Sequence, residues 1–267
     1  MNKLLTTSAL TILSNNLFGV TTVLIQNDFD STTSGDIGPA FQLLSNGVDG
    51  NGSFDPATGI VTNTASDTNA SGFNNIAVTT IPAGTTELTV TFEISGATNF
   101  SAIQSNGFFL GLVTGTDANG TAGSSLFNNN PSSIGLNLFP NNARIARDGA
   151  TGNASAVQTL TAPSVASIED GFSFTLTLRD DNTFDASSIG LSEEITITGA
   201  PVTGTDPTFS TFLSGGVAIN GSAQGNAVSF TIDSVELSVE SVPEPSTSML
   251  FGIVSGLALF SRRRRRF

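Results

Sequence analysis

Three aspartates near the two ends of the central region have the chemistry of a cation site. Asp28 and Asp30 follow the first apolar segment, and Asp233 lies within the last one. Calcium prefers carboxylate oxygens as ligands, so the three side chains can share one ion if the first and last strands lie side by side. The sequence therefore predicts a structural calcium site at these residues. The simpler interpretation is that they are solvated turn carboxylates.

Two other acidic stretches are weaker candidates. The segment from Asp49 to Asp55 alternates oxygen-bearing side chains like the start of an EF-hand loop, but Phe54 stands where that loop needs glycine, and Ile60 where it needs glutamate. Glu193 and Glu194 are adjacent, and neighbours on a strand point to opposite faces, so this pair cannot be the facing carboxylates of a glycosidase. We expect a polar loop at the first stretch and no catalytic pair at the second.

Missing residue types exclude most common enzyme designs. The 267-residue chain contains no cysteine and no histidine, which removes thiolate nucleophiles, Ser-His-Asp triads and histidine-bearing zinc sites. It also lacks tryptophan and tyrosine, leaving 20 phenylalanines as its only aromatic residues. We therefore predict a non-enzymatic protein.

Charge is distributed unevenly along the chain. All 22 acidic residues lie between Asp28 and Glu244, where the only basic residues are Arg144, Arg147 and Arg179, so this region carries a net charge of −19. Such a surface repels nucleic acid and anionic lipid and attracts divalent cations. Nucleic acid is therefore not an expected partner.

Short apolar runs divide the central region into strands. They cover residues 21–26, 87–94, 108–113, 134–139, 143–147, 172–179, 189–197, 212–219 and 228–239. The last run changes its alternation phase, which predicts a β-bulge near Asp233 and Ser234. Residues 31–75 are rich in small polar residues and are expected to be loop, and no run has helical periodicity with caps. The pattern predicts an all-β domain, an antiparallel β-sandwich or jelly roll, over residues 21–240.

The C-terminal residues 241–267 have a different character. A proline-rich element, Val242, Pro243, Glu244 and Pro245, is followed by residues 246–261 without a charge. The segment then ends in a basic cluster formed by Arg262, Arg263, Arg264, Arg265 and Arg266. Sixteen uncharged residues are short for a full span, but arginine side chains can extend their reach to the interface. The order predicts a single transmembrane helix with a cytoplasmic arginine stop.

This tail resembles the PEP-CTERM sorting signal of bacterial exported proteins. The resemblance rests on the order of Pro243-Glu244-Pro245, the apolar segment and the arginine cluster. It implies that an exosortase, a transpeptidase-like membrane enzyme, is a partner that recognises the Pro-Glu-Pro element and processes the protein at the outer face of the inner membrane. It implies nothing about the activity of the preceding domain.

The N-terminus has the features of a secretory signal peptide. Lys3 precedes an apolar run from Leu4 to Leu13, and a small-residue site ends at Gly19. We assign residues 1–20 to a signal helix. An uncleaved N-terminal anchor is the alternative. The protein is then expected to be exported, held at the inner membrane before processing, and finally located at the cell surface or in the extracellular matrix.

The ends of the central region, 23–30 and 230–237, loosely resemble the terminal strands of jelly-roll, concanavalin-like and carbohydrate-binding-module-like domains. In several such modules an acidic residue of the last strand helps to hold structural calcium, which again points to Asp233. Three functions therefore remain open, and a glycoside hydrolase or lyase is the third of them. The first is a structural protein of the envelope or matrix. The second is a calcium-supported glycan-binding module with extracellular polysaccharide as its partner. An open concave sheet lined by Phe, Asn and Asp favours the second, and a closed sheet packed on both faces favours the first.

Overall fold

A computed structural model describes the central domain and its two flanks. The residues it describes are 19–29, 35–45, 52–55, 57–63, 71–114, 133–148, 155–202, 209, 214–223 and 228–242. Residues 1–18, which carry the predicted signal helix, and 243–267, which carry the predicted transmembrane helix and arginine stop, lie outside these ranges. Within the ranges given, no helix is long and apolar enough to cross a membrane.

Two antiparallel sheets are built from the described residues, as the sequence predicts. Sheet A contains eight strands: β1 (Val20–Asn27), β3 (Gly52–Asp55), β4 (Ile60–Asn63), β6 (Thr85–Thr98), β11 (Phe172–Arg179), β12 (Thr183–Ile189), β13 (Thr196–Pro201) and β15 (Val228–Ser241). Their order is β13-β12-β11-β6-β15-β4-β3, and β1 also pairs with β15. One edge of β15 is thus shared, because its first residues pair with β4 and its last ones with β1.

Sheet B contains the other seven strands. They are β2 (Gln42–Ser45), β5 (Ser71–Thr80), β7 (Ile103–Thr114), β8 (Ser133–Phe139), β9 (Asn142–Asp148), β10 (Ser155–Leu160) and β14 (Ser214–Ala223). Their order is β10-β9-β8-β7-β14-β5-β2, with every pair antiparallel. Two helical elements also lie within the described residues, a 3-10 turn, Phe100–Ala102, and one short helix, α1 (Val165–Glu169).

The core lies between the two sheets and is formed by the apolar phase of each strand. In β11 the pattern is regular, with buried Phe172, Phe174, Leu176 and Leu178 alternating with half-buried polar residues. The rings of Phe108 in sheet B and Phe230 in sheet A stack with their centroids 3.6 Å apart and nearly parallel. This contact joins the two sheets directly, because Phe108 belongs to sheet B and Phe230 to sheet A.

Three sequence expectations need correction. Residues 31–75 are not all loop, because β2, β3, β4 and the start of β5 fall there. The strand predicted over 189–197 is interrupted, since β12 ends at Ile189 and β13 begins only at Thr196. The helix α1 was not expected. It is five residues long and is capped by Ser164, whose side chain accepts a hydrogen bond from the Ser167 N–H. The predicted bulge is confirmed, since the β15–β6 register shifts between Ile232 and Ser234.

Candidate functional site

Two of the three predicted calcium ligands, Asp28 and Asp233, lie near the bulge of β15. The first and last strands are side by side, as the calcium hypothesis requires, and Asn27 lies opposite Val235 at the end of their pairing. Asp28 follows at once, and both Asp28 and Asp233 are exposed. Asp30 lies outside the described residues. The structure thus brings two of the three predicted carboxylates to the same end of the β1–β15 pair.

Glu93 is a further carboxyl group at this bulge. It lies opposite Ser234, next to Asp233. Partial burial and the negative charge of Asp233 both raise the pKa of Glu93, burial being the larger cause. Even so, the described part of the chain contains no group of three acidic side chains placed to hold a metal. A calcium ion needs six to eight oxygen ligands, so these residues alone do not form its site. The calcium assignment stays a prediction that depends on Asp30.

The two weaker acidic candidates are the stretch that ends at Asp55 and the pair Glu193 and Glu194. Asp55 ends β3 and accepts hydrogen bonds from the Ala57 N–H at 3.0 Å and the Thr58 hydroxyl at 2.7 Å, which lowers its pKa. It therefore closes the turn between β3 and β4, and the start of the EF-hand-like stretch lies outside the described residues. Glu193 and Glu194 are both exposed and lie in the loop between β12 and β13, not on a strand as the sequence analysis assumed.

The outer face of sheet A carries an ordered array of hydroxyl groups. Thr89 and Thr91 of β6 lie opposite Thr177 and Thr175 of β11, with hydroxyl oxygens 2.9 and 3.1 Å apart. Neighbouring strands are about 4.8 Å apart, and side chains two residues apart on a strand share a face. The face is therefore a flat lattice of hydroxyl groups that can both donate and accept hydrogen bonds.

A groove of about 290 Å³ opens on this face, over β11, β12 and β13. Its lining consists of Thr175, Thr177, Asp185, Ala186, Ser187, Thr196, Ile197 and Thr198. The volume is at the lower end of the range for small-ligand sites. Most lining residues carry a hydroxyl group, and only one carries a carboxyl group.

That carboxyl group, Asp185, is held by Arg179. The guanidinium group donates to both carboxylate oxygens of Asp185 and, from Nε, to Glu87 at 2.9 Å. The Gly199 N–H adds a hydrogen bond of 2.7 Å to Asp185. The hydrogen bonds from Arg179 lower the pKa of Asp185 to about 2. Asp185 is therefore ionised in neutral solution and is a fixed acceptor at the end of the groove.

Sheet B carries a different row of side chains on the face opposite the core. The ladders place Phe109 of β7 opposite Asn137 of β8, Asn137 opposite Arg144 of β9, and Arg144 opposite Thr159 of β10. Phe109 and Asn137 are buried, Arg144 is half-buried and Thr159 is exposed. The row thus runs from the interior to the edge strand of the sheet.

Several polar atoms of this face have no hydrogen-bond partner. Asn137 is 0% exposed, and neither its Oδ1 nor its Nδ2 atom is hydrogen-bonded; Ser133 Oγ and Arg144 Nε are in the same state. The guanidinium carbon of Arg144 lies 5.3 Å from the centre of the Phe139 ring, and burial lowers the pKa of Arg144. An unsatisfied buried polar group costs about 1–3 kcal/mol. Such atoms are few in native proteins, and a bound water, a bound ion or a functional role each accounts for them.

Val242 is the described residue that leads into the proline-rich element. It is exposed, and its N–H donates to the Gly84 carbonyl at 3.3 Å. Pro243, Glu244 and Pro245 follow outside the described residues. The sorting element therefore begins directly after the last pairing contact of the domain.

Comparison with known proteins decides the nature of this tail. Residues 241–266 match the PEP-CTERM protein-sorting motif. The match covers the tail alone, so it concerns sorting and does not bear on what the sandwich does. No curated protein sequence matches the chain at a significant level.

Solved structures share the fold of the sandwich. A Bauhinia forficata lectin in complex with GalNAc has a TM-score of 0.51 at 10% identity, covering 84% of this chain and 100% of its own. The carbohydrate recognition domain of Emp47p has a TM-score of 0.50 at 11% identity, with 80% and 94% covered. An endo-1,3-β-glucanase from Streptomyces sioyaensis has a TM-score of 0.46 at 13% identity, with 84% and 97% covered. The first two likenesses show the fold alone, an antiparallel β-sandwich like that of these two domains.

The sequence analysis missed the hydroxyl lattice and the row on sheet B. The two threonines of each hydrogen-bonded pair in the lattice are more than 80 residues apart in sequence. The pairing register of the strands brings them together, and no local sequence pattern indicates it. One signal was available. Asn137 interrupts the apolar run of residues 134–139, and a polar residue inside a buried strand is informative.

Proposed function

We propose that this chain is an exported, non-enzymatic surface protein that an exosortase-type enzyme sorts by its PEP-CTERM tail. The observation that carries the proposal is the match of residues 241–266 to the sorting motif. The fold is compatible with it, because Val20 lies opposite Ser241, so both flanks leave the sandwich at one edge. A domain held by its flanks at one edge can face the membrane before processing and leave it afterwards.

The non-enzymatic part of the proposal is supported by the chemistry of the groove. Hydrolysis of a glycosidic bond uses two carboxyl groups, one of which must be protonated when the reaction starts. Asp185 is the only carboxyl group in the groove lining, and its pKa of about 2 leaves it ionised at neutral pH. Asp185 therefore serves as a hydrogen-bond acceptor and not as a general acid.

Cell fractionation tests the sorting proposal. The full chain is expressed in two bacterial strains that differ only in the presence of an exosortase, and its size and location are followed by immunoblotting. We expect an unprocessed form in the inner membrane without the enzyme, and a shorter form at the surface or in the medium with it. An identical size and location in both strains would contradict the proposal.

A second candidate function, glycan binding, is favoured by the groove on sheet A. Its hydroxyl lining, together with the fixed acceptor Asp185, offers hydrogen bonds of both directions to sugar hydroxyls. The shared fold with a GalNAc-bound lectin and a carbohydrate recognition domain adds support. The calcium support predicted from the sequence is a separate matter, because none of the predicted ligands lines the groove.

Glycan-array binding tests this candidate, using the full chain in detergent with and without calcium. Ser187 and Thr196 lie opposite each other in the groove and are both exposed. Ser187→Ala and Thr196→Val should weaken glycan binding by about tenfold together, since each removes a hydroxyl group without changing the charge. Thr22→Val, on the exposed start of β1, is the matched control and should bind like wild type. Equal binding by all variants would remove the groove from consideration.

A further inference from the structure

The start of β1 lies against a carboxylate at the end of β15. Val20 is opposite Ser241 in the pairing register, and Thr21 is opposite Glu240. The Glu240 side chain packs on Gly19, since an ideal Cβ placed on that glycine would overlap the carboxylate. Gly19 and Glu240 are both half-buried. The Glu240 carboxylate therefore lies beside the junction between Gly19 and Val20.

Glu240 has no cationic partner in the part of the chain that the structure describes. It forms no salt bridge there, and it lies opposite Glu87 in the β15–β6 ladder. Like charges directly opposite each other destabilise a sheet. The guanidinium group of Arg179 is already paired with Glu87 and Asp185, so three carboxylates share one arginine. A further positive charge beside Glu240 would offset this repulsion.

The sequence supplies that charge if the chain is cut after Gly19. Lys3, the apolar run and the small-residue site that ends at Gly19 are features of a signal peptide. Hydrolysis of the Gly19–Val20 peptide bond by a signal peptidase consumes one water and releases residues 1–19 with a carboxylate on Gly19. It leaves an amine on Val20, which takes up a proton because an α-amino group has an ordinary pKa of about 7.7–8.0. The cut also removes the glycine that covers the Glu240 carboxylate.

We infer that the α-ammonium group created at Val20 binds the Glu240 carboxylate, so that removal of the signal peptide fastens the strand end from which the sorting element leaves. The inference rests on the proposed export of the chain. Val20 lies opposite Ser241, and Val242 leads directly into the proline-rich element. Cleavage at one end of the domain therefore stabilises the edge that presents the other end for processing.

The charged groups around the new terminus follow from the strand register. The nearest strand, β15, contributes Glu240, the next one, β6, contributes Glu87, and Arg179 lies beyond it on β11. Residues 71–84, which form β5 and the turn beside Val242, carry no charge. Because carboxylates lie on the two nearer strands, they should raise the pKa of the α-amino group. Stability from the ion pair is then present below the ordinary pKa of an α-amino group and is lost as the pH rises through the raised, folded value.

The mature chain would contain a single amine, which makes the inference testable. Lys3 is the only lysine of the chain, and there is no cysteine, histidine or tyrosine. After cleavage, the α-amino group is thus the only group with an ordinary pKa between about pH 5 and pH 10. A change in folding stability between pH 7 and pH 10 therefore reports on this terminus.

Mass spectrometry and acetylation test the terminus itself. The protein is purified in detergent from cells that lack an exosortase, and its intact mass identifies the first residue, which we expect to be Val20. The dependence of the acetylation rate on pH then gives the pKa of the single amine. Glu240→Gln should raise the rate at pH 7 about threefold, the effect of roughly half a pKa unit. Glu236→Gln, an exposed carboxylate opposite Gln26 and far from Val20, is the matched control and should leave the rate unchanged.

Thermal midpoints at pH 7 and pH 10 test the ion pair. The wild-type midpoint should fall between the two pH values, and that of Glu240→Gln should fall less. Acetylated wild type, whose terminus cannot carry a charge, should behave like the variant. A chain that keeps residues 1–19 or begins at another residue would overturn the inference, as would an equal fall in wild type and Glu240→Gln. None of these measurements requires processing of the tail, so this inference and the sorting proposal fail separately.

Discussion

Val20, the first residue of β1, lies opposite Ser241, the last residue of β15. The two strands that flank the predicted membrane segments are therefore paired at one edge of sheet A. Val20 and Val242 are both exposed there, at 51% and 45%. The predicted membrane segments would therefore attach the domain through this one edge.

Deleting residues 246–267 should release the protein from the inner membrane without unfolding it. The deletion removes the apolar segment and the arginine cluster but leaves every strand of the sandwich in place. Fractionation of cells that lack an exosortase measures the first effect, and the thermal midpoint of the purified protein measures the second. Replacing Arg262 to Arg266 by serine is the graded control and should weaken retention only in part. Equal membrane retention of the deleted and full chains would rule out the anchor.

Glu244→Ala should block processing while leaving membrane insertion intact. The prolines on either side fix their own φ angles and favour an extended chain, so Glu244 is presented as the single charged side chain of a preformed segment. An enzyme can bind such a segment at low entropic cost. In cells with an exosortase, the variant should accumulate as an unprocessed, membrane-held form on immunoblots. Glu236→Ala, an exposed carboxylate in β15, is the control and should be processed like wild type.

The parts of the fold that were predictable from sequence are those with a local pattern. In β11 and between Glu87 and Ile94 of β6, apolar and polar residues alternate because one face of each strand packs in the core. The four-residue strands β3 and β4 have no such pattern of their own. They form because β4 pairs with β15, more than 160 residues away in sequence, and β3 pairs with β4. A short strand of this kind is specified by its neighbours and not by its own residues.

Candidate sites follow the same division. The sequence placed Asp233 at a bulge, because the phase change in β15 is local. It could not find the Arg179 clamp, whose partners Glu87 and Asp185 come from two other strands. Nor could it find the row of Phe109, Asn137 and Arg144, since their distances depend on the register of three strands.

The Arg179 clamp should make the domain acid-sensitive in a defined window. Asp185 has a pKa of about 2 when folded and 3.8 as its ordinary value, so the unfolded chain binds its proton first as the pH falls. The stabilisation is complete above about pH 4 and is lost towards pH 2, and we expect a loss of roughly 1–2 kcal/mol after allowing for partial exposure. Urea unfolding followed by circular dichroism at pH 6, pH 3 and pH 2 follows the loss, of which less than half is expected at pH 3. Asp185→Asn should lack this component, and Glu194→Gln, an exposed loop change, should retain it.

Phe230→Ala should cost about 3–5 kcal/mol of unfolding free energy. Phe230 is fully buried and stacks on Phe108 across the sheets. Its ring centroid lies 5.9 Å from that of Phe100, edge to face. Truncation therefore leaves a cavity lined by the two remaining rings. Urea unfolding by circular dichroism is the measurement, because the chain has no tryptophan or tyrosine for fluorescence. Val20→Ala, at the exposed start of β1, should cost less than about 1 kcal/mol. A similar cost for both variants would show that the stacked pair is not central to the core.

Asp233→Asn should lower the pKa of Glu93 towards its ordinary value. Glu93 has a raised pKa, first because it is partly buried and second because Asp233 is negatively charged. The folded state therefore holds the Glu93 proton more tightly than the unfolded state, and stability contributed by this group is present at low pH and lost as the pH rises through its folded pKa. NMR titration of the Glu93 carboxyl measures the change. Only the burial effect should remain in the variant, so an unchanged titration would mean that the two carboxylates do not interact.

Calcium should raise the thermal midpoint of the full chain if Asp30 completes a site with Asp28 and Asp233. An ion that binds only the folded state stabilises it by mass action, and it also offsets the repulsion between Asp233 and Glu93. We expect the midpoint to increase over a titration to millimolar calcium. The increase should be smaller in Asp30→Asn and Asp233→Asn than in Glu194→Gln, which removes a carboxylate of the β12–β13 loop. The comparison between variants is needed because general screening of the −19 charge would raise the thermal midpoint of every variant equally. An equal rise in every variant, or no rise at all, would leave the three aspartates as solvated turn residues.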